Sequence, residues 1–283
     1  MAHHISFRIL QDIARDLSGE VVNFPTFLDI TFRVRTALKK PDLTIEELAT
    51  LVGAEPLMST RIIRLANSVT LNRSGRAIVD VNAAIARTGM EAVRSVSFAV
   101  AMEQLLASKK MAPFAALSRR LWQHTMHVAA LSHVLARKAT RVAPDEAMFV
   151  GLIHDIGVFY LLSRAASFPE LIAEPSELHQ LLVQWHAEIG HALLAAMGLP
   201  EELLLVVQTH ETDRPVESLK TLADVLLVAN KLANLEHPWR DPELADRVDT
   251  TLLSQLFDAD AITTLLAESF DDLASLKTAL GAT

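Results

Sequence analysis

Apolar residues recur with helical spacing along most of this chain. Ile5, Ile9, Leu10, Ile13 and Leu17 form a stripe that predicts a helix over residues 4–19. Asn23, Phe24 and Pro25 interrupt it, and a second helix is expected over 26–39, stopped by Pro41. Thr44 and Glu47 have the spacing of a capping box, which starts a helix that ends near Gly53. Pro56 suits the first turn of the next helix, which carries Met58, Ile62, Ile63 and Leu65. Residues 69–78 read as a loop. Helices follow over 79–88, 90–108 and 113–139, then from Pro144 through His154 and Asp155. Further helical patterns cover 176–197, 199–211 and 216–235. His237 to Pro242 is a break, and 243–281 reads as two or three short helices. The strongest internal interruption lies near residues 108–113, at Lys109, Lys110 and Pro113.

Composition supports an all-α fold, a multi-helix bundle. Nine glycines and eleven prolines in 283 residues are few for a chain of many short strands and turns. With 51% hydrophobic and 21% charged residues, the chain has enough apolar surface to avoid disorder. The formal charge of −8 argues against a broad nucleic-acid surface. No cysteine is present, so disulfides and thiolate metal sites are excluded. The N-terminus shows no signal-peptide pattern, and the most apolar stretch, 147–162, is interrupted by His154 and Asp155. A cytoplasmic protein with no membrane contact is expected.

The candidate chemistry is a set of separated histidines and one His-Asp pair: His124, His154 with Asp155, His186, and His210 followed by Glu211. Imidazole nitrogens and carboxylate oxygens together suit a divalent ion such as iron, manganese, zinc or magnesium. Asp155 lies within the apolar run from Val150 to Phe159, where a carboxylate is costly without a metal, a cation or a hydrogen-bond network. Single histidines on apolar helices are more often packed core residues. His133, His179 and His191 are placed in that class, and His127 shares helical spacing with His124 without further support.

These residues resemble the HD superfamily of metal-dependent phosphohydrolases, whose pattern is a His, a His-Asp pair and a distant Asp on helices. His124 matches the first element and His154 with Asp155 the doublet. His186-x-x-x-Gly190 and His210 are similar to the additional histidines of the HD-GYP and HDOD branches. The N-terminal half resembles HDOD: Phe24-Pro25, Glu47-Leu48-Ala49, Glu55-Pro56, Leu65-Ala66-Asn67-Ser68 and the segment Ala83 to Gly89. The resemblance spans about residues 20–235. It implies an N-terminal helix over 1–20 and an HDOD domain over 21–235. Within that domain an N-terminal lobe runs to about 110 and an HD-like lobe over 111–235, and a helical tail covers 236–283. The implied metal ligands are His124, His154, Asp155, His186 and His210.

Three departures stand out. Asn230 occupies the place of the family's last metal Asp, and a neutral amide is a poorer ligand than a carboxylate. Asp224 lies six residues earlier, on another side of that helix. Thr209 replaces the first His of a His-His pair, and Glu211 to Pro215 replaces the Gly-Tyr-Pro loop of the HD-GYP branch. The resemblance therefore implies a bacterial signal-transduction output module that is non-enzymatic, with no catalytic residue assigned. It would bind a signalling protein or a small ligand at a degenerate HD-type site. A metal-dependent phosphohydrolase, with a spare His or Glu211 as proton donor, is the alternative. A third reading is a helix-turn-helix over Thr44–Gly53 and the following helix, exposing Ser59, Arg61, Arg64 and Asn67 to nucleic acid. A packed helical hairpin is preferred to it. The apolar tail is expected to pack back on the core, or else to form a homodimer contact.

Overall fold

Several helix starts are set by the residues the sequence offered for them. The computed structural model describes residues 2–18, 28–68, 71–72, 75–212, 214–233 and 254–280, and among these every regular element is helical. The break expected at Asn23 to Pro25 and that at His237 to Pro242 lie outside the described residues. The N-terminal lobe comprises α2 (Asp29–Leu38), α3 (Ile45–Gly53), α4 (Pro56–Ala66), α5 (Val81–Thr88) and α6 (Met90–Leu106). Thr44 and Glu47 form both halves of the expected capping box on α3, and Pro56 begins α4 at its first turn. Asn67 closes the following loop by accepting from the Ile78 backbone N–H and donating to the Ile78 carbonyl.

A short 3-10 segment, Lys109–Phe114, carries the chain into α7 (Ala115–Ala139), the long helix of the second lobe. Around it come α8 (Pro144–Ile153), α9 (Ile156–Ala165), α10 (Pro169–Ala173), α11 (Pro175–Ala196), α12 (Glu201–Gln208) and α13 (Leu222–Leu232). Helix α7 packs against α8 and α13, and α9 against α11. The lobes join through α6, which packs on both α2 and α8. One continuous core of buried apolar residues runs through both. The amino-terminal helix α1 (Ala2–Ser18) leans on α9 and α11, with Asp16 paired to Arg164 at 2.9 Å.

Two expectations need correction. The helix from Pro144 does not run through His154 and Asp155. It ends at Ile153, Asp155 takes φ −100° and ψ 15°, and α9 restarts at Ile156. The tail, where described, is mainly one 22-residue helix, α14 (Ala259–Leu280), rather than several short ones. Helix α14 lies against α4 and α7. Pro144–Ala165 is long and apolar enough to cross a membrane, but 89% of its most apolar window is buried inside the protein, so it serves as core.

Candidate metal centre

The break between α8 and α9 places a His-Asp pair at the junction of two buried helices. His154 and Asp155 are both fully buried. Two close backbone approaches hold this junction. A Cβ on Gly151 would stand 2.6 Å from Ala129 Cα, and one on Gly157 would stand 1.9 Å from the His186 carbonyl oxygen. Gly151 therefore lets α8 meet α7, and Gly157 lets α9 meet α11 beside His186.

All five residues expected as ligands converge here, and none is more than 2% exposed. They come from different elements: His124 from α7, His154 and Asp155 from the break, His186 from α11, and His210 from the turn after α12. The imidazoles form a chain. Ring centroids are 5.6 Å apart for His124 and His154, 5.1 Å for His154 and His210, and 5.4 Å for His210 and His186. Two groups each have ligand atoms within 4.8 Å of one another: His124 with His154 and Asp155, and Asp155 with His186 and His210. Asp155 belongs to both.

The tautomers follow from the backbone. His154 Nδ1 is 2.8 Å from the Gly151 carbonyl, His186 Nδ1 is 2.8 Å from that of Leu182, and His210 Nδ1 is 2.6 Å from that of Val207. A carbonyl only accepts, so each Nδ1 carries the proton and donates it, and each neutral ring has its lone pair at Nε2. Those nitrogens meet acidic oxygens. His154 Nε2 is 3.2 Å and His210 Nε2 is 3.5 Å from the two Asp155 oxygens. His186 Nε2 is 3.6 Å from Glu211, at the edge of the site. The two contacts to Asp155 have ion-pair distances without hydrogen-bond geometry. A lone pair facing a buried carboxylate is repulsive, so the arrangement requires a cation, either an added proton or a metal ion. Pinning Nδ1 to a carbonyl is also how metal-binding histidines are oriented.

Charge behaves accordingly. Burial pushes the Asp155 carboxyl up, but His154 and His210 outweigh it and hold it well below the usual carboxylate range. Burial pulls His210 down, but the Asp155 carboxylate outweighs that and raises it. His124, against α13, is different. Burial takes it down to about 4, offset only in part by Asp155. Its Nε2 lies 3.1 Å from the Asn230 side-chain oxygen, with the imidazole N–H donating. This ring offers a lone pair at Nε2 only in the other tautomer. Asn230 thus occupies the position expected from its motif, beside the centre. Asp224 does not: it caps the start of α13, paired with Arg214 at 2.6 Å.

Other expected roles shift. His179 is exposed and His133 and His191 are only half-buried, so none is a core histidine. His127 turns away from the centre, its ring 5.4 Å from Phe270 of α14. Of the four residues that the helix-turn-helix reading would expose, Arg64 is exposed, while the other three make contacts within the fold. Arg61 is buried and paired with Glu103 at 2.7 Å, Ser59 bonds back to Val52, and Asn67 holds the loop at Ile78. The carbonyl partners of the three histidines were not read from the sequence. Their signal was available, since each lies three or four residues upstream of its ring.

An all-helical frame thus surrounds a buried His-Asp centre. The HDOD domain model matches residues 24–213, more than half of the chain, and the chain belongs to that family. Solved structures share the fold. A Shewanella amazonensis SB2B protein, whose name suggests a metal-dependent phosphohydrolase, is 21% identical with a TM-score of 0.74, covering 97% of this chain and 99% of its own. An HDOD domain protein of unknown function from Geobacter sulfurreducens is 21% identical with a TM-score of 0.64, covering 96% and 98%. A Marinobacter aquaeolei VT8 protein, whose name suggests signal transduction, is 16% identical with a TM-score of 0.61, covering 99% of this chain and 66% of its own. An uncharacterized protein of Treponema pallidum (strain Nichols) is 21% identical over 233 residues, 77% of this chain. The chain spans under half the length of that relative, at 44%.

Proposed function

We propose that this protein is a signalling output module whose His-Asp centre holds a divalent ion as a closed structural site, and whose output is the binding of a protein or small ligand. One observation carries this reading: the five side chains that would hold the ion face one another and are at most 2% exposed. Structural sites are closed by protein ligands, whereas catalytic sites keep a position open to water and substrate. The same burial supports contact with a ligand or partner on the surrounding surface rather than at the histidines.

The donor set suits manganese, iron or zinc, with His154, Asp155, His186 and His210 as principal ligands and His124 as an additional one. An ion held there would neutralise Asp155 and join the α8–α9 break to α7, α11 and the end of α12. The chain's own residues prepare the centre. Gly151, Leu182 and Val207 fix three ring orientations, and Gly157 lets α11 bring His186 close.

The second reading, a metal-dependent phosphohydrolase, is favoured by one feature. Asp155 is shared by two ligand groups, as in sites where a carboxylate bridges two ions. Glu211, partly exposed beside His186, would be its proton donor.

Elemental analysis together with an assay on phosphate esters decides between them, on protein purified without a metal-affinity column and compared with the His154→Ala/Asp155→Ala variant. The proposed function expects near-stoichiometric metal that disappears in the variant, and no turnover of phosphomonoesters or phosphodiesters. Metal-dependent turnover lost in both single variants would establish the hydrolase instead. No metal after supplementation with iron, manganese and zinc would refute the structural ion.

A further inference from the structure

We propose that the cleft between the two lobes binds a small aromatic carboxylate, with its ring inside and its carboxylate at a cationic mouth. A cavity of about 150 Å³ lies where α2 and α6 face α8, α11 and α12. Its walls are apolar: Phe98, Phe149, Ile153, Leu194 and Leu203. An apolar space of this size accommodates a benzene-sized ring. Phe98 and Phe149 stand edge to face, with centroids 6.5 Å apart, and give the cavity an aromatic wall.

The mouth has the opposite character. Among the lining residues Lys39 and Glu91 are exposed and Arg35 and Arg94 half-buried, which puts these charges toward solvent, and Glu91 is 2.9 Å from Arg94. Three cations against one carboxylate make a positive opening on a chain whose formal charge is −8. The overall composition therefore does not account for it. Arg35 donates to the carbonyls of Met197 and Gly198, which take two of its five N–H donors and do not neutralise its charge. Burial lowers its pKa, and a carboxylate beside it would reverse that shift. Arg94 is held over the Phe149 ring at 4.1 Å, so its guanidinium stays at the opening. Apolar walls and a cationic mouth together select a ligand that is apolar at one end and anionic at the other.

The cavity is lined from the same elements that carry the His-Asp centre. Ile153 precedes His154, Leu194 is about two turns beyond His186, and Leu203 is about two turns before His210. A guest touching these three side chains touches three elements that carry the candidate ligands. This extends the binding-module reading of the proposed function. The test does not involve the metal, so its failure and that of the metal reading are separate results.

The probe is phenylacetate, titrated calorimetrically into the full chain beside phenylacetamide, which has a similar ring and no charge. One saturable site is expected, with the acid bound at least about tenfold more tightly than the amide. Arg94→Gln should weaken the acid about tenfold and leave the amide unchanged, while Glu91→Gln should strengthen the acid. Leu194→Trp should fill the cavity and abolish both, provided its circular dichroism shows a folded protein. If it does not fold, the charge variants and the acid–amide pair decide. No saturable heat, equal affinity for acid and amide, indifference to both charge variants, or retained binding in a folded Leu194→Trp protein would each overturn the proposal.

Discussion

Asn230 sets the negative charge of the buried centre. As an amide it accepts from His124 and adds no charge, leaving Asp155 as the buried carboxylate beside four imidazoles. Asn230→Asp restores a carboxylate at a position only 5% exposed. It is expected to tighten manganese or zinc binding at least about tenfold, measured by competition with a chelator. Without metal the same change adds an uncompensated buried charge. It should then destabilise the chelated protein by about 1–3 kcal/mol in urea unfolding. Unchanged metal affinity would place residue 230 outside the ligand set. The glycines beside the centre give a sharper contrast. Gly157→Ala drives a methyl to within 1.9 Å of the His186 carbonyl oxygen, a backbone atom that cannot rotate away. We expect a loss of about 1–3 kcal/mol and weakened metal binding, because His186 must move. Gly190→Ala, on the facing helix, meets nothing closer than 3.5 Å. It should be neutral or stabilising, since alanine is the better helix former. Equal effects of the two in denaturant titrations would contradict the close approach at Gly157.

At the scale of the element, α13 shows how a residue rejected as a ligand serves the fold. Asp224 Oδ2 accepts from the backbone N–H groups of Lys220 and Thr221, and Thr221 Oγ1 accepts from that of Asp224. Burial pushes the Asp224 carboxyl up, but Thr221 and Arg214 outweigh it and lower it below the ordinary 3.8. A depressed folded value means that the charge stabilises the fold above the ordinary carboxylate range. The contribution is lost as pH falls through the folded value. Asp224→Asn should therefore cost about 1 kcal/mol at neutral pH, and the gap to the parent protein should close in acid. Urea midpoints at neutral pH and near pH 3 (about one unit below the ordinary carboxylate value) check this, and a pH-independent gap would show that the charge is not used. Much of this level was legible beforehand. Helix starts at Thr44, Pro56 and Pro144 have local causes, so sequence spacing located them. The break at His154–Asp155 was not legible, because 150–159 is buried on every side. A helix without a polar face gives periodicity no phase, and a two-residue interruption leaves no trace in it. The ligand types were readable because an acid within such a run has few physical reasons to be there. The lobe-to-lobe cavity was not, because its walls come from residues as far apart as Arg35 and Leu203 and no local pattern joins them.

At the scale of the whole molecule, α14 joins helices that lie far apart in sequence. It lies across α4 of the first lobe and α7 of the second, with Leu265 and Leu273 buried beneath it. Glu268 reaches Arg137 and Lys138 at the end of α7, and Phe270 stands 56% exposed against His127. The ion pairs are at the surface and contribute little, so the buried leucines dominate at about 1.5–3 kcal/mol each. Removing residues 259–283 should lower the urea midpoint by an amount consistent with losing both leucines, an upper bound because the unfolded chain already buries some apolar surface. The candidate metal ligands span residues 124–210 and Asn230, none of them in α14. Metal content per chain should therefore survive the deletion while stability falls. That dissociation is what a strap across two lobes predicts. Loss of metal together with stability would mean that α14 holds the centre in place through α7. An unchanged midpoint would mean that the core closes without it, and that the leucine face of α14 is available to another chain. Sedimentation of the intact protein over a range of concentrations separates these outcomes, because a strap leaves the molecular mass constant and an intermolecular contact does not.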